Sequence, residues 1–578
     1  MKRWLPFLIC LIHLLTLSYL ARQHPFGNYA TETDFYHFYA PDAERLMAGR
    51  FPENTYQGPG YPAAVGLIGK LTGFGGDLFT VGKWLSVVCA VLCGWMVFLL
   101  FERLFGFWVG VGAQLITIAS GEFPQFSINA ATDIFFLLVC LIALVVFTGE
   151  LWNLRRRIAL SAIITGAAYL VRYNGVFLLA AILVGILLLD MFSQSWRQRL
   201  KLSAMFVGVF FLTVSPWLIA NYRHHGSPLY NTNYLNIATE FYPELAGGET
   251  NQDATRKLDE RFQSFGDVIA YDPARLIKRY PQNLLESLRS TFRENLVASA
   301  VAWLAWIGFA MALFRKRSKP VSVVLIAGAL YLLLMALNHW ETRYYFFVMT
   351  LYAGFAVYTA VECLHVVRER GWMRQTGFAA IPVAIVVAMF AASTVASRAD
   401  VKAFLEAQPS ELIGARDYLS GIGAAPNSLR IVARKPHLPY MTRQQWVFFP
   451  QVKSIEELRS WLADNRVDYI IIGKRELKER KELKKLGDPE NAPDWLKPVW
   501  VYEPTKFILY KPVKVGAQAP SPAGDLGAKV TLSAHLAGAC ACVDGFFKPF
   551  SSPSTASEVD PASNLWLRPK TRRTIAPG

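Results

Sequence analysis

Apolar runs recur along this chain from its first residues to about position 396, after which the pattern changes to short alternating helical and strand-like segments. A helix crossing the hydrocarbon core needs about 20 mostly apolar residues, fewer where neighbours shield it. By that measure about eleven segments qualify: 4–21, 78–101, 106–120, 128–147, 158–171, 175–189, 202–220, 296–314, 321–337, 344–363 and 375–396. With this count the basic clusters Lys2 and Arg3, Arg155 to Arg157, Arg197 with Arg199 and Lys201, Arg315 to Lys319, and Arg368 to Arg374 all fall on one face. Cytoplasmic loops carry such an excess of Lys and Arg, so the N-terminus is expected inside. The segments at about 22–77, about 222–295 and everything after about 397 then share the outer side. The first run reads as a span rather than a signal peptide, because no small-residue cleavage site cleanly follows it.

Beyond about 400, SELIGARDYLSGI reads as a helix, SLRIVAR as a strand, SIEELRSWLADN as a helix with Ser454 and Glu457 as its capping box, and VDYIIIG as a buried strand. KPVWVYEPTKFILYKP reads as a strand hairpin. The expected organisation is a polytopic α-helical membrane domain over 1–398, an extracytoplasmic α/β domain over 399–515, and an Ala, Gly, Ser and Pro-rich tail over 516–578 with the composition of disorder.

Composition supports the membrane class: of 578 residues 53% are hydrophobic and only 18% charged. The formal charge of +16 does not point to nucleic acid, because the basic residues sit in short clusters between apolar runs. Cys10, Cys89, Cys93, Cys140 and Cys363 lie in apolar runs, and Cys540 and Cys542 in the tail have neither disulfide-framework nor zinc spacing. There is no GxxxxGK[ST] and no strand-linked GxGxxG, so nucleotide hydrolysis is unsupported. His224 and His225 have no matching cluster nearby, and no metal or cofactor is assigned.

The chemistry concentrates in the first outer segment, TETDFYHFYAPDAERLMAGRFPENTYQGPGYP. Asp34, flanked by Phe35, Tyr36 and Tyr39 just beyond a membrane helix, has the surroundings of a partly desolvated general base. The plainer alternative is an Asp that caps the helix beginning there. Within the apolar runs the costly residues are Lys83, Asp133, Arg172, His339, Glu341 and Arg343. Lys83, Arg172 and Arg343 fall at the outer ends of their segments, level with Asp34. Cations converging on one carboxylate at that interface suit a lipid phosphate, although snorkelling or local pairing such as Glu341 with Arg343 accounts for each alone. Asp133 reads as a helix-start or bundle-polar residue.

In order along the chain, TDFYHFYA, AGR, QGPGYP, ATDIFF, GAAYLVRYNG, SPWLIANYRHHGSPLY and ETRYYFF resemble the GT-C superfamily of membrane glycosyltransferases, in particular its bacterial protein-mannosyltransferase and lipid A aminoarabinose transferase branch. The resemblance runs over about residues 1–515, with GARDYL, LRIVARKPHLPYMT, VDYIIIGKREL and KFILYKP similar to the outer domain that many members carry. TETDF departs from it in having no two adjacent acids, which leaves Glu32 as a possible substitute for Asp34, and the tail after 515 matches nothing in the family. The resemblance implies a donor sugar on polyprenyl phosphate and a lipid, protein or surface-glycan acceptor, without a soluble cofactor. It further implies a single inverting displacement, with Asp34 as general base and Lys83, Arg172 and Arg343 at the departing phosphate. Tyr36, His37 and Glu341 are secondary candidates for sugar contacts, and the 222–295 segment is long enough for a lid. A secondary transporter, which would show paired halves, and a non-catalytic membrane scaffold remain open.

Overall fold

The structure, a computed structural model, describes residues 4–29, 31–246, 257–316, 318–369 and 380–513. The expected disorder of the tail from 516, and with it Cys540 and Cys542, lies outside the described residues, as do Lys2, Arg3, Arg317, Arg370, Arg374 and residues 247–256 of the expected lid.

Within the described residues, each apolar run read from the sequence is a helix or the body of one. In chain order these are Leu5–Arg22, Leu78–Phe105, Phe107–Ala119, Thr132–Thr148, Leu154–Val171, Val176–Leu187, Trp196–His225, Ser299–Arg315, Lys319–Met335, Phe346–Glu369 and Ala380–Glu406. The chain is thus a polytopic α-helical membrane protein with a C-terminal α/β region. Five stretches, Leu5–Arg22, Leu78–Phe105, Trp196–His225, Thr342–His365 and Val383–Gly421, are long and apolar enough to cross a membrane by themselves; most of the others are shorter apolar helices.

Local chemistry sets the breaks between helices. The Asp77 side chain accepts from the Thr80 N–H at 3.1 Å and starts Leu78–Phe105, and Asn153 does the same for Leu154–Val171 through the Arg156 N–H at 3.0 Å. Gly106, at φ +99°, turns the chain from Leu78–Phe105 into Phe107–Ala119, a conformation that only glycine adopts without strain. The segment 60–72, included in the outer loop by the sequence reading, is itself a helix, Gly60–Thr72, seated against Leu78–Phe105 and Ala40–Met47.

Close backbone approach explains the glycines of QGPGYP. A Cβ at Gly58 would stand 2.0 Å from the Leu170 carbonyl oxygen, and one at Gly60 would stand 2.9 Å from the same group. The first outer segment is therefore packed directly on the end of Leu154–Val171, one step before Arg172. Gly58→Ala is expected to cost about 1–3 kcal/mol through overpacking, read as a lowered thermal unfolding midpoint in detergent; an unchanged midpoint would show that the contact relaxes without cost.

The C-terminal region carries a five-stranded sheet of order β2-β1-β3-β5-β4, formed by β1 (Arg430–Ala433), β2 (Gln445–Phe448), β3 (Tyr469–Ile472), β4 (Leu496–Tyr502) and β5 (Phe507–Pro512). β1 pairs in parallel with β2 and β3, whereas β5 is antiparallel to β3 and β4. The β4–β5 hairpin turns through Glu503–Thr505 with Lys506 in the left-handed region at φ +54°. β3, buried at every position, is the central strand, which accounts for its unbroken apolar run. The Ser454 hydroxyl accepts from the Glu457 N–H at 3.1 Å, but the Glu457 carboxylate reaches back to the N–H of Lys453, at 2.6 Å, rather than to that of Ser454. β2 was not anticipated: QQWVFF is too short to separate from a loop by alternation alone.

Candidate active site

Asp34 stands at the head of a turn of π-helix, Phe35–Tyr39, that runs straight into helix Ala40–Met47. Such turns are rare and concentrate at functional sites. The Asp34 side chain is buried and accepts no capping hydrogen bond from the turn that follows, so the helix-cap alternative is not what it does. Glu32, the possible substitute, is held elsewhere. One of its oxygens accepts from the Ala130 N–H at 2.7 Å, and the other from the Asn28 N–H at 2.7 Å while facing His24 Nε2 at 2.7 Å. Both oxygens fasten the loop, and the residue is fully buried.

Two of the three predicted cations come together. Arg172, buried at the break between Leu154–Val171 and Val176–Leu187, donates to Asp133 at 2.6 Å. Its guanidinium lies 4.9 Å from the centre of the Tyr344 ring, and that of Arg343 lies 5.2 Å from the same centre. Arg343 in turn donates to Glu341 at 2.5 Å and lies in the electrostatic reach of both Asp133 and Asp34. Glu341 is also 3.5 Å from His339. Burial alone would raise the Glu341 carboxyl, but Arg343 and His339 hold it down to about 2, so it is ionised throughout the physiological range. Asp133 is thus the buried partner of Arg172, consistent with its reading as a bundle-polar residue.

Lys83 is engaged differently. Its ammonium is buried and donates to the His24 carbonyl at 2.7 Å, near Glu32. Tyr36 and His37 are likewise committed to packing. The Tyr36 hydroxyl accepts from the Gly27 N–H at 2.9 Å, and its ring lies 5.7 Å from Phe79 and 4.6 Å from His437. The His37 ring meets Trp446 edge-on at 4.6 Å.

These contacts reveal something the sequence reading missed: the segment bearing Asp34 is clamped by the C-terminal region. Lys435 donates to Thr33 Oγ1 at 2.9 Å and to the Tyr29 carbonyl. His437 Nε2 is 3.3 Å from the Asn28 carbonyl, and the Tyr440 hydroxyl donates to Glu44 at 3.0 Å. The fragment LRIVARKPHLPYMT carried the signal, but nothing in it says which loop it would meet. A second unanticipated group is Glu122, which accepts from the Asn295 side chain at 3.0 Å; that amide also reaches the Thr342 hydroxyl, one residue from Arg343. Burial, opposed by the Asn295 hydrogen bond, raises the Glu122 carboxyl to about 7. Among the described residues no group of three His, Cys, Asp or Glu side chains is placed to hold a metal ion.

The clamp is expected to be acid-sensitive. Burial pushes the His37 ring down to about 3, and burial with the nearby Lys435 charge does the same to His437. An unfolded chain protonates these rings below about 6.5, so it binds more protons than the folded chain between about 6.5 and 3. Stability from this contact therefore falls as pH drops through that window. Asp42, raised by burial to about 6, acts in the opposite sense, so the comparison is with His37→Gln/His437→Gln. Unfolding followed at several pH values should show a flatter acid slope in that variant; equal slopes would remove these histidines as the cause.

Comparison with known proteins agrees with this architecture. Residues 57–219 match the family of dolichyl-phosphate-mannose-protein mannosyltransferases. No curated protein matches the chain by sequence. The fold is similar to the apo oligosaccharyltransferase of Archaeoglobus fulgidus, at 15% identity and a TM-score of 0.55, covering 82% of this chain and 70% of that one. It is similar also to ArnT from Cupriavidus metallidurans bound to undecaprenyl phosphate, at 12% identity and a TM-score of 0.54, covering 89% of this chain and 99% of that one. The family match over residues 57–219 and the fold similarity agree with the resemblance read from the sequence: the chain has the fold of these membrane glycosyltransferases.

Proposed function

We propose that the chain transfers a sugar from a polyprenyl-phosphate carrier to a lipid, protein or glycan acceptor at the outer face of the membrane, with inversion at the anomeric carbon. The observation that carries this reading is the gathering of Arg172 and Arg343 at the Tyr344 ring, with Asp34 in reach of the Arg343 charge. In the proposed step the acceptor oxygen forms its bond to the anomeric carbon while the bond from that carbon to the phosphate oxygen breaks. The electron pair leaves with the lipid phosphate, and the acceptor proton passes to Asp34. The two guanidiniums offset the charge growing on the phosphate. Each guanidinium acts from a place fixed by a carboxylate, Arg343 beside Glu341 and Arg172 beside Asp133. Lys83 serves in this reading by fixing the His24 carbonyl and, through Glu32, the loop that carries Asp34.

The ligands of similar structures support a lipid-phosphate donor: undecaprenyl phosphate in ArnT, and a dolichol phosphate with an inhibitory peptide in the archaeal oligosaccharyltransferase. The orientation with Asp34 outside rests on the distribution of basic clusters. The test compares membranes of cells with and without the protein for polyprenyl-linked sugars and surface glycans. One lipid-linked sugar should accumulate when the protein is removed, and the same sugar should vanish from one acceptor. Identical pools in the two strains would count against transfer.

A further inference from the structure

A second site lies apart from this cluster. A groove of about 860 Å³ runs between helices Leu5–Arg22, Phe107–Ala119 and Ala380–Glu406, and none of Asp34, Arg172 or Arg343 lines it. Its wall on the first helix extends from Ile9 to Gln23, about 21 Å at the helical rise per residue. That exceeds the roughly 15 Å depth of one leaflet of hydrocarbon. Ile9, Ile12, Leu115, Ile118 and Phe390 make much of it apolar.

Polar groups are few and specifically disposed. Arg398, Lys402 and Glu406 line it from the last helix, with Lys402 3.7 Å from Glu406, so these three side chains together carry one net positive charge. Thr16, Thr394 and Ser397 return their hydroxyls to carbonyls of their own helices. His13 does not: it is buried, lines the groove, and its Nε2 has no hydrogen-bond partner among the described residues. A buried polar atom left in that state is costly, and a partner from a bound molecule in the groove would relieve it.

We infer that this groove binds an acidic glycerophospholipid. One acyl chain lies along the apolar wall, the phosphodiester meets Arg398 and Lys402, and His13 is within the groove for a glycerol or ester oxygen. The single net positive charge matches a phosphodiester carrying one negative charge better than a phosphomonoester carrying about two. The groove's exposure among lipid-facing side chains such as Ile12 and Leu15 gives a lipid lateral access.

The test uses the full-length protein in uncharged detergent micelles titrated with phosphatidylglycerol, phosphatidylcholine or undecaprenyl phosphate, with thermal unfolding as readout. Phosphatidylglycerol should raise the midpoint at concentrations where phosphatidylcholine does not, as linkage requires of a ligand specific to the folded state. Arg398→Gln/Lys402→Gln, which changes exposed side chains, should weaken that response at least ten-fold. His13→Leu should weaken it several-fold while leaving the lipid-free protein no less stable, since it removes an unpartnered polar group. Equal responses to phosphatidylglycerol and phosphatidylcholine, or an undiminished response in both variants, would overturn the site. A response to undecaprenyl phosphate alone would overturn it too, by making the groove part of the donor's path.

Discussion

Asp34→Asn is expected to lower sugar transfer by about 10²–10⁴-fold, the usual contribution of a positioned general base, with the protein still folded and inserted. The amide is nearly isosteric with the carboxylate, and Asp34 makes no capping bond to the turn it heads, so the substitution disturbs the π-helical turn little. What it removes is the ability to accept the acceptor's proton during attack. The measurement is transfer from a polyprenyl-phosphate sugar by purified protein in liposomes, alongside thermal unfolding of the same preparations. Wild-type transfer by a well-folded Asp34→Asn protein would exclude Asp34 as the base. The parallel variant Glu32→Gln should differ in kind: it weakens the acceptor of the Asn28 and Ala130 N–H groups, so any loss of transfer should accompany a loss of stability.

The second large effect concerns Arg172. Arg172→Gln strands the Asp133 carboxylate in a buried place, a change that costs about 3–5 kcal/mol when one partner of a buried ion pair is removed. The single variant should therefore unfold at a much lower temperature and show no transfer. Asp133→Asn/Arg172→Gln removes both charges and leaves two amides able to bond each other. Its stability should return most of the way, because replacing a buried pair by neutral groups is often close to neutral. Transfer should stay down by about 10²–10³-fold, the cost of losing one preorganised electrostatic contact to developing charge. If transfer recovers together with stability, Arg172 only holds the helix junction, and the phosphate falls to Arg343 alone.

Much of the helical body was legible from the run lengths of apolar residues, because burial in lipid or among helices imposes its pattern on consecutive positions. The short pair around Arg172 was read correctly as helical, since Leu154–Val171 and Val176–Leu187 are separated where GAAYLVRYNG places an arginine and a glycine. The strands β1, β3, β4 and β5 were likewise visible in β-branched and aromatic runs. Gly60–Thr72 was passed over because it lies between Gly and Pro-rich stretches and is too short to suggest a span.

The candidate site was legible only in part. Arg172, Glu341 and Arg343 stood out because each is costly where it occurs, and Asp34 because aromatic residues flank it just beyond a membrane helix; both signals are properties of one residue and its near neighbours. Lys83 stood out for its cost as well, but the object its ammonium meets, the His24 carbonyl, is 59 positions away in sequence. Tyr36 and His37 entered as secondary candidates for sugar contacts through the family resemblance, and their packing neighbours Phe79, His437 and Trp446 come from distant segments that the sequence does not point to.

What the sequence by itself determined is therefore what periodicity and local cost encode: which stretches are apolar helices, where a small sheet follows them, and which ionisable residues need a reason. Tertiary structure alone decided the pairings. It joined Arg172 to Asp133, brought two guanidiniums to the Tyr344 ring, and fastened Lys435 to Thr33 across 402 positions of chain. Hydrogen bonds and ion pairs reach only a few ångströms in space but any distance along the chain, so they leave no period to read.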